Sequence, residues 1–105
     1  MVDLTGKVAL VTGASRGLGA AIAKKLAACG ARVGVNYFGS AELAHKLVAD
    51  IRRAGGDCEA FKADVRDEME VIRLINDVQS RFGLIDILVI NATGPATPLT
   101  MREML

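Results

Sequence analysis

Apolar and polar positions alternate along this chain in two different periods, and the period switches back and forth. Residues 7–12, Lys-Val-Ala-Leu-Val-Thr, form a short apolar run that stops at Gly13. A run of this length, rich in β-branched residues, predicts a strand buried on both faces. Residues 17–29 are rich in Ala and Leu, with Ile22 and Leu26, and Ala23 and Ala27, four apart, which predicts a helix capped by Gly30. Residues 32–37 predict a second strand. Ser40 then stands as the N-cap of a helix reaching about Ala54, with Leu43, Leu47 and Ile51 on one stripe and Gly55-Gly56 at its end.

The pattern repeats. Residues 58–63 predict a third strand. Asp67-Glu-Met-Glu70 has the form of a capping box with Asp67 in the place of Ser or Thr, and Val71, Ile75, Val78 and Phe82 follow at helical spacing up to Gly83. Residues 85–91 predict a fourth strand. Strands alternating with helices through short loops predict a parallel sheet with right-handed crossovers. The segment Thr100-Met-Arg-Glu103 is a further capping box, and the sequence stops at Leu105. A helix announced and then cut short within a turn reads as a truncated domain, since isolated helices need roughly a dozen residues to be even marginal in water.

Composition narrows the class. The chain has 105 residues, which is one small domain, and half of them are apolar. Thirteen basic and twelve acidic residues are interspersed without like-charge runs, so nothing points to nucleic acid or to a membrane surface. No apolar stretch approaches membrane-span length and no secretion signal is visible, which predicts a cytoplasmic protein. Cys29 and Cys58 fall in separate predicted elements, form no metal-ligand spacing, and are expected as buried free thiols.

The chemistry concentrates in the turn after the first strand, Thr12-Gly-Ala-Ser-Arg-Gly-Leu-Gly19. Gly13 permits a tight exit from the strand. Gly17 leaves the backbone bare where a pyrophosphate would approach, and Gly19 lets the helix pack close to the sheet. The helix N-terminus adds unpaired N–H groups and the positive end of the dipole. Ser15, Arg16 and Leu18 complete the loop. A nucleotide site is expected at residues 13 and 15–19.

The spacing Thr-Gly-x-x-x-Gly-x-Gly, within Leu4-Thr-Gly-Lys-Val-Ala-Leu-Val-Thr-Gly-Ala-Ser-Arg-Gly-Leu-Gly19, resembles the short-chain dehydrogenase/reductase family, and within it the 3-oxoacyl-carrier-protein reductases. The resemblance continues through Asp64-Val65 and through Asp86-Ile-Leu-Val-Ile-Asn-Ala92. It implies a partial Rossmann fold over residues 1–105: a doubly wound, three-layer α/β/α domain whose four parallel strands run in the order 3-2-1-4. The first two helices then lie on one face and the third on the other. It also implies that Asp64, with Val65, meets the adenine edge, and that Asn91 and Ala92 lie beside the cofactor, Asn91 steadying the central sheet. Where the family has Asn-Asn-Ala-Gly, this chain has Ile90-Asn-Ala-Thr93, with Gly94 one place later.

An NAD-selective site places a carboxylate at the end of the second strand, on the ribose 2′-OH. Here Asn36, Tyr37 and Ser40 occupy that region and no acid is present from Val35 to Ser40. A carboxylate would repel a 2′-phosphate; its absence, with the phosphate-matching fork of Arg16, predicts NADP over NAD.

The family's catalytic tyrosine has a lysine four residues later. The only tyrosine here is Tyr37, followed at that distance by Ala41, so no catalytic or metal-ligating residue is assigned within the 105 residues. His45 reads as a surface residue, and Glu42 and Lys46 as an ordinary helix pair. These residues point to the nucleotide-binding part of an NAD(P)-dependent oxidoreductase acting on a carbonyl or a 3-oxoacyl thioester. A non-catalytic NADP-binding module and a self-associating fragment are the alternatives. The apolar fourth strand, at the sheet edge in this order, predicts a homo-oligomer.

Overall fold

A computed structural model describes residues 2–91. Strands β1 (Val8–Val11), β2 (Arg32–Tyr37), β3 (Asp57–Lys62) and β4 (Ile87–Val89) alternate with helices α1 (Gly17–Ala28), α2 (Ala41–Arg53) and α3 (Glu68–Phe82). All pairings are parallel, and the sheet runs β3-β2-β1-β4, the order expected from the sequence. β4 is shorter than its apolar run. Only Ile87, Leu88 and Val89 pair, with Ala9, Leu10 and Val11. Its start is pinned by the Asp86 carboxylate, which accepts from the Val8 N–H at 2.9 Å.

β1 is buried at every position because it is central and covered on both sides. Ala9 and Val11, together with Val33 and Val35 of β2, point toward α1 and α2, packing on Ala23, Ala27, Leu47, Val48 and Ile51. Val8 and Leu10 point the other way, onto Leu74, Val78 and Phe82 of α3. The alternation of adjacent β1 residues between two clusters is the period-two geometry of a strand. It places two helices on one face and one on the other, as the sequence implied.

The details of helix facing differ from the stripes read in the sequence. On α2 the buried residues are Ala44, Leu47, Val48 and Ile51, whereas Leu43 is exposed. A small alanine faces the sheet because α1 and α2 share that face and leave little room. On α3, Leu74 is almost fully buried and Val71 and Ile75 flank it, half-exposed, so the buried stripe is centred on Leu74, Val78 and Phe82. Lys46 pairs with Asp50 at 3.0 Å rather than with Glu42.

Caps also depart from expectation. Asp67 caps α3, accepting from the Met69 and Glu70 N–H groups. Its reciprocal partner Glu70 reaches past it to accept from the Asp64 N–H at 3.0 Å. Ser40 sits at the N-cap of α2 but its side chain makes no capping bond. Gly30, with φ of +103°, follows the end of α1 as expected. A Cβ there would meet Thr5 Oγ1 at 2.8 Å.

Cys58 is buried and Cys29 only half-buried; both are free. Burial pushes the Cys58 thiol up to about 12, well above the usual thiol range. Because the folded value lies above the unfolded one, the unfolded chain loses its proton first as pH rises. Stability linked to Cys58 is therefore complete below roughly pH 8.5 and declines as pH climbs from there toward 12. Urea melts between pH 7 and 10 should show this decline, and Cys58→Val should reduce its slope. An identical slope in the variant would show that other groups set it.

Candidate functional site

The carboxyl ends of the parallel strands converge on the turn that follows β1. Gly13 enters it with φ of +59° and Gly17 leaves it with φ of +61°. Between them, Ala14 is fully buried and its N–H donates to the Asn36 carbonyl at 3.0 Å.

Two asparagines, one in β2 and one just beyond β4, hold the Gly13 backbone through its N–H and its carbonyl. Asn36, at 2% exposure, accepts from the Gly13 N–H through Oδ1 at 3.3 Å. Asn91, beyond β4, donates from Nδ2 to the Gly13 carbonyl at 3.0 Å. The Asn91 N–H in turn donates to Thr12 Oγ1 at 3.0 Å. Asn36 Nδ2 donates to the Ala63 carbonyl at 3.1 Å and lies 3.3 Å from the Phe61 and 3.4 Å from the Tyr37 carbonyl oxygens. The sequence placed Asn36 on a ligand. The structure instead turns its amide inward, binding the ends of β2 and β3 to the β1 turn.

Gly19 explains how α1 comes so near. A Cβ on it would lie 2.6 Å from the Gly13 carbonyl oxygen and 2.7 Å from Asn91 Nδ2. Neither atom can yield without breaking the clamp. Gly17 is different: a Cβ there would meet nothing within 4 Å and would project into open space before the helix.

Arg16 occupies the N-cap of α1 with extended backbone and makes no side-chain capping bond, and the first turn of α1 has no acidic residue. α2 and α3, by contrast, carry Glu42, and Glu68 with Glu70, in their first turns. Ser15 is half-buried, while Arg16, Gly17 and Leu18 are exposed. Among the described residues the Arg16 guanidinium has no ion-pair partner.

Tyr37 and Ser40 stand half-buried where β2 gives way to α2. The Tyr37 ring meets exposed His45 edge-on, with centroids 5.8 Å apart. Beyond β3, Asp64 is gripped by Arg66, whose Nε donates to Oδ1 at 3.0 Å and whose Nη2 donates to Oδ2 at 3.1 Å. Those side-chain bonds, with the Arg66 N–H, hold the Asp64 carboxyl below the usual carboxylate range. Val65 beside it is 45% exposed. Ala92, Thr93 and the capping box at residues 100–103 lie outside the described residues.

The family model described as short chain dehydrogenase matches residues 7–104. The chain belongs to the short-chain dehydrogenase family. A short chain dehydrogenase/reductase of Aspergillus novofumigatus is 54% identical over 89 residues, which are 85% of this chain and 34% of that protein. Elsinochrome reductase 1 of Elsinoe fawcettii is 49% identical over 89 residues, 85% of this chain and 33% of its own. The chain thus spans about a third of the length of the curated relatives it matches. Among solved structures, a short chain dehydrogenase from Burkholderia cenocepacia, in complex with NADP, superposes with a TM-score of 0.84 at 46% identity, covering 96% of this chain and 43% of that one.

At the carboxyl edge of the sheet, Gly13, Ser15 and Arg16 lie in the turn after β1, Gly17, Leu18 and Gly19 in the first turn of α1, and Tyr37, Ser40, Asp64, Val65 and Asn91 at or beyond the ends of β2, β3 and β4. Phe38 and Arg66 also meet at this edge, a contact not read from the sequence. Neither belongs to a motif, and their side chains meet only because β2 and β3 are neighbours.

The contrast between the two glycines is measurable. Gly19→Ala should lose about 2–3 kcal/mol of stability, because overpacking against fixed groups forces the turn or the helix to move. Gly17→Ala should lose only about 1 kcal/mol, the cost of a left-handed conformation for a residue with a Cβ. Urea denaturation of both variants tests the order; equal losses would mean that α1 adjusts freely.

Proposed function

We propose that this chain binds a nicotinamide dinucleotide across the β1 turn and the ends of β2 and β3, with NADP(H) preferred over NAD(H). It serves as the nucleotide-binding part of a carbonyl-reducing oxidoreductase. The observation that carries the preference is the charge arrangement at the adenosine end. β2 ends in Asn36 and Tyr37 with no carboxylate, and Arg16 stands exposed in the turn after β1. The Ser40 hydroxyl, unused as a cap, is available to donate to a 2′-phosphate. A related short chain dehydrogenase is known in complex with NADP, which supports the same choice.

The residues fit such a ligand. Bare backbone at Gly17, with open space where a side chain would be, leaves room for a pyrophosphate against the uncapped N–H groups of α1. When bound, the dinucleotide supplies the hydride that reduces a carbonyl. The chain's own part is to seat the phosphates on the turn, to orient the adenosine half at the ends of β2 and β3, and to offer Asn91 and Ala92 to the nicotinamide half. The relative from Elsinoe fawcettii is named a reductase, which supports the reductive direction, and a 3-oxoacyl thioester is one substrate of the right class. No helix among the described residues is long and apolar enough to cross a membrane, and a cytoplasmic location is part of this reading.

Calorimetry with the two dinucleotides tests the preference. The wild type should bind NADP more tightly than NAD, and Arg16→Ala should narrow the gap by about tenfold, the scale of one charge-assisted contact. Equal affinities in the wild type would overturn the preference.

Self-association belongs to the same reading. β4 forms one edge of the described sheet, and Leu88 and Ile90 are each about half exposed. Light scattering after gel filtration should give a mass above the 11.1 kDa of one chain. A monodisperse monomer at high micromolar concentration would rule it out.

A further inference from the structure

β3 is the other edge of the described sheet, and arginines occupy its outer side. The Ala63 N–H, just beyond the strand, donates to the Tyr37 carbonyl of β2 at 3.0 Å. In an extended strand the N–H and carbonyl of one residue face the same side, and that side alternates along the chain. Asp57, Glu59 and Phe61 therefore bond toward β2, while Cys58, Ala60 and Lys62 turn their backbone groups outward. A row of such groups is a template for another strand.

The carbonyls at both ends of this row are already taken, by side chains from opposite faces of the sheet. Arg52, on α2, donates from Nε to the Cys58 carbonyl at 2.9 Å. Arg73, on α3, donates from Nη2 to the Lys62 carbonyl at 3.1 Å. Both guanidinium groups are tethered. Arg73 is held by Glu70 and Asp77, each at 3.3 Å. Arg52 Nη2 stands 4.0 Å from Glu59 Oε1, which also accepts from Arg81 Nε of α3 at 3.1 Å. Glu59 is thus reached from both helical layers, and the charged groups bridge the edge between them. Both arginine side chains are half-exposed, so their ion pairs add little stability on their own account. What they change is the hydrogen-bonding capacity of the edge.

We propose that Arg52 and Arg73 hold the β3 edge shut against a second copy of this chain. The pairing they prevent has a definite register. Two β3 strands set antiparallel about a twofold axis at Ala60 put Ala60 opposite Ala60, and Cys58 of one copy opposite Lys62 of the other. Each outward N–H then meets an outward carbonyl, as in any antiparallel ladder, and both partners use the same surface. The Cys58 and Lys62 carbonyls needed for that ladder are the two that the arginines occupy. An incoming strand has to expel both guanidinium groups and take Arg73 away from Glu70 and Asp77. The contact is therefore autoinhibitory. It is independent of nucleotide binding and of the association through β4 described above, and it leaves β4 as the edge open to other chains.

Light scattering after gel filtration tests it on the full chain. The double variant Arg52→Met, Arg73→Met keeps long side chains and removes the donors. At equal concentration it should have at least about twice the wild-type mass, since a twofold pairing joins two of whatever wild type forms. Adding Ala60→Pro removes the central outward N–H without costing a bond to β2, so the mass should return to the wild-type value. A double variant with wild-type mass would overturn the proposal. A raised mass that Ala60→Pro leaves unchanged would overturn it too, because the association would then run through another surface.

Amide hydrogen exchange supplies a second readout that does not depend on the proline variant folding. In wild type the Ala60 amide should exchange as an unpaired group, faster than the Ala63 amide that bonds to β2. In the double variant it should slow by about tenfold or more as concentration rises, because it gains a carbonyl partner. An Ala60 amide as protected as Ala63 in wild type, a measurement that needs no substitution, would show that the edge is not held open-ended and would overturn the proposal.

Discussion

The backbone of Gly13 is the point on which the rest of the site depends. Its N–H is taken by Asn36 and its carbonyl by Asn91, so a single turn residue is bonded to side chains from within or beyond both strands that flank β1. The Asn36 amide also reaches the Ala63 carbonyl at the end of β3. Strand ends that would otherwise fray are locked to one another by buried polar groups, each of which would cost about 1–3 kcal/mol if left unpaired. The loops carrying Arg16, Phe38, Arg66 and Asn91 all leave from this lock, and their spacing follows from it.

Close approach is the second consequence. α1 can set its N-terminus against the turn only because Gly19 has no side chain and Ala23 and Ala27 are small where the helix faces β1 and β2. The same clamp that orders the strands therefore forbids any larger residue at position 19. Packing density, not ligand contact, explains that glycine. Gly17, by contrast, owes its identity to a left-handed turn that opens toward solvent.

Charge is divided between the two ends of the sheet. At the amino end, Asp57 and Glu59 of the outer strand β3 meet Arg32, Arg52 and Arg81 at 3.1–4.0 Å. These exposed pairs add little stability one by one, but a charged edge strand is a poor template for pairing with another chain. At the carboxyl end, Asp64 is paired with Arg66, and the other acids stand at the starts of α2 and α3 rather than at that of α1. The uncapped start of α1, with an exposed Arg16 and no acid in its first turn, is the helix end there that suits an anion.

The sequence by itself determined the order of elements, the parallel sheet, the strand order, the glycine turn and the family. The elements and the turn are written in residues close together, as a period of two or near four, or as glycines spaced within a single turn; the family and the strand order follow from the resemblance that this turn carries. It also determined the absence of an acid after β2, since that needs only the identity of six residues. Only the tertiary structure decided that Ala44 and Leu74 rather than Leu43 and Val71 fill the core, that Asn36 points inward, that Glu70 serves Asp64 rather than Asp67, and that Arg66 meets Phe38. The physical reason is distance along the chain: those choices depend on which face a neighbouring layer leaves open and on partners far away in sequence, just as the bond between Thr12 and Asn91 spans 79 residues. Periodicity carries no record of such partners, because they become neighbours only when the strands pair.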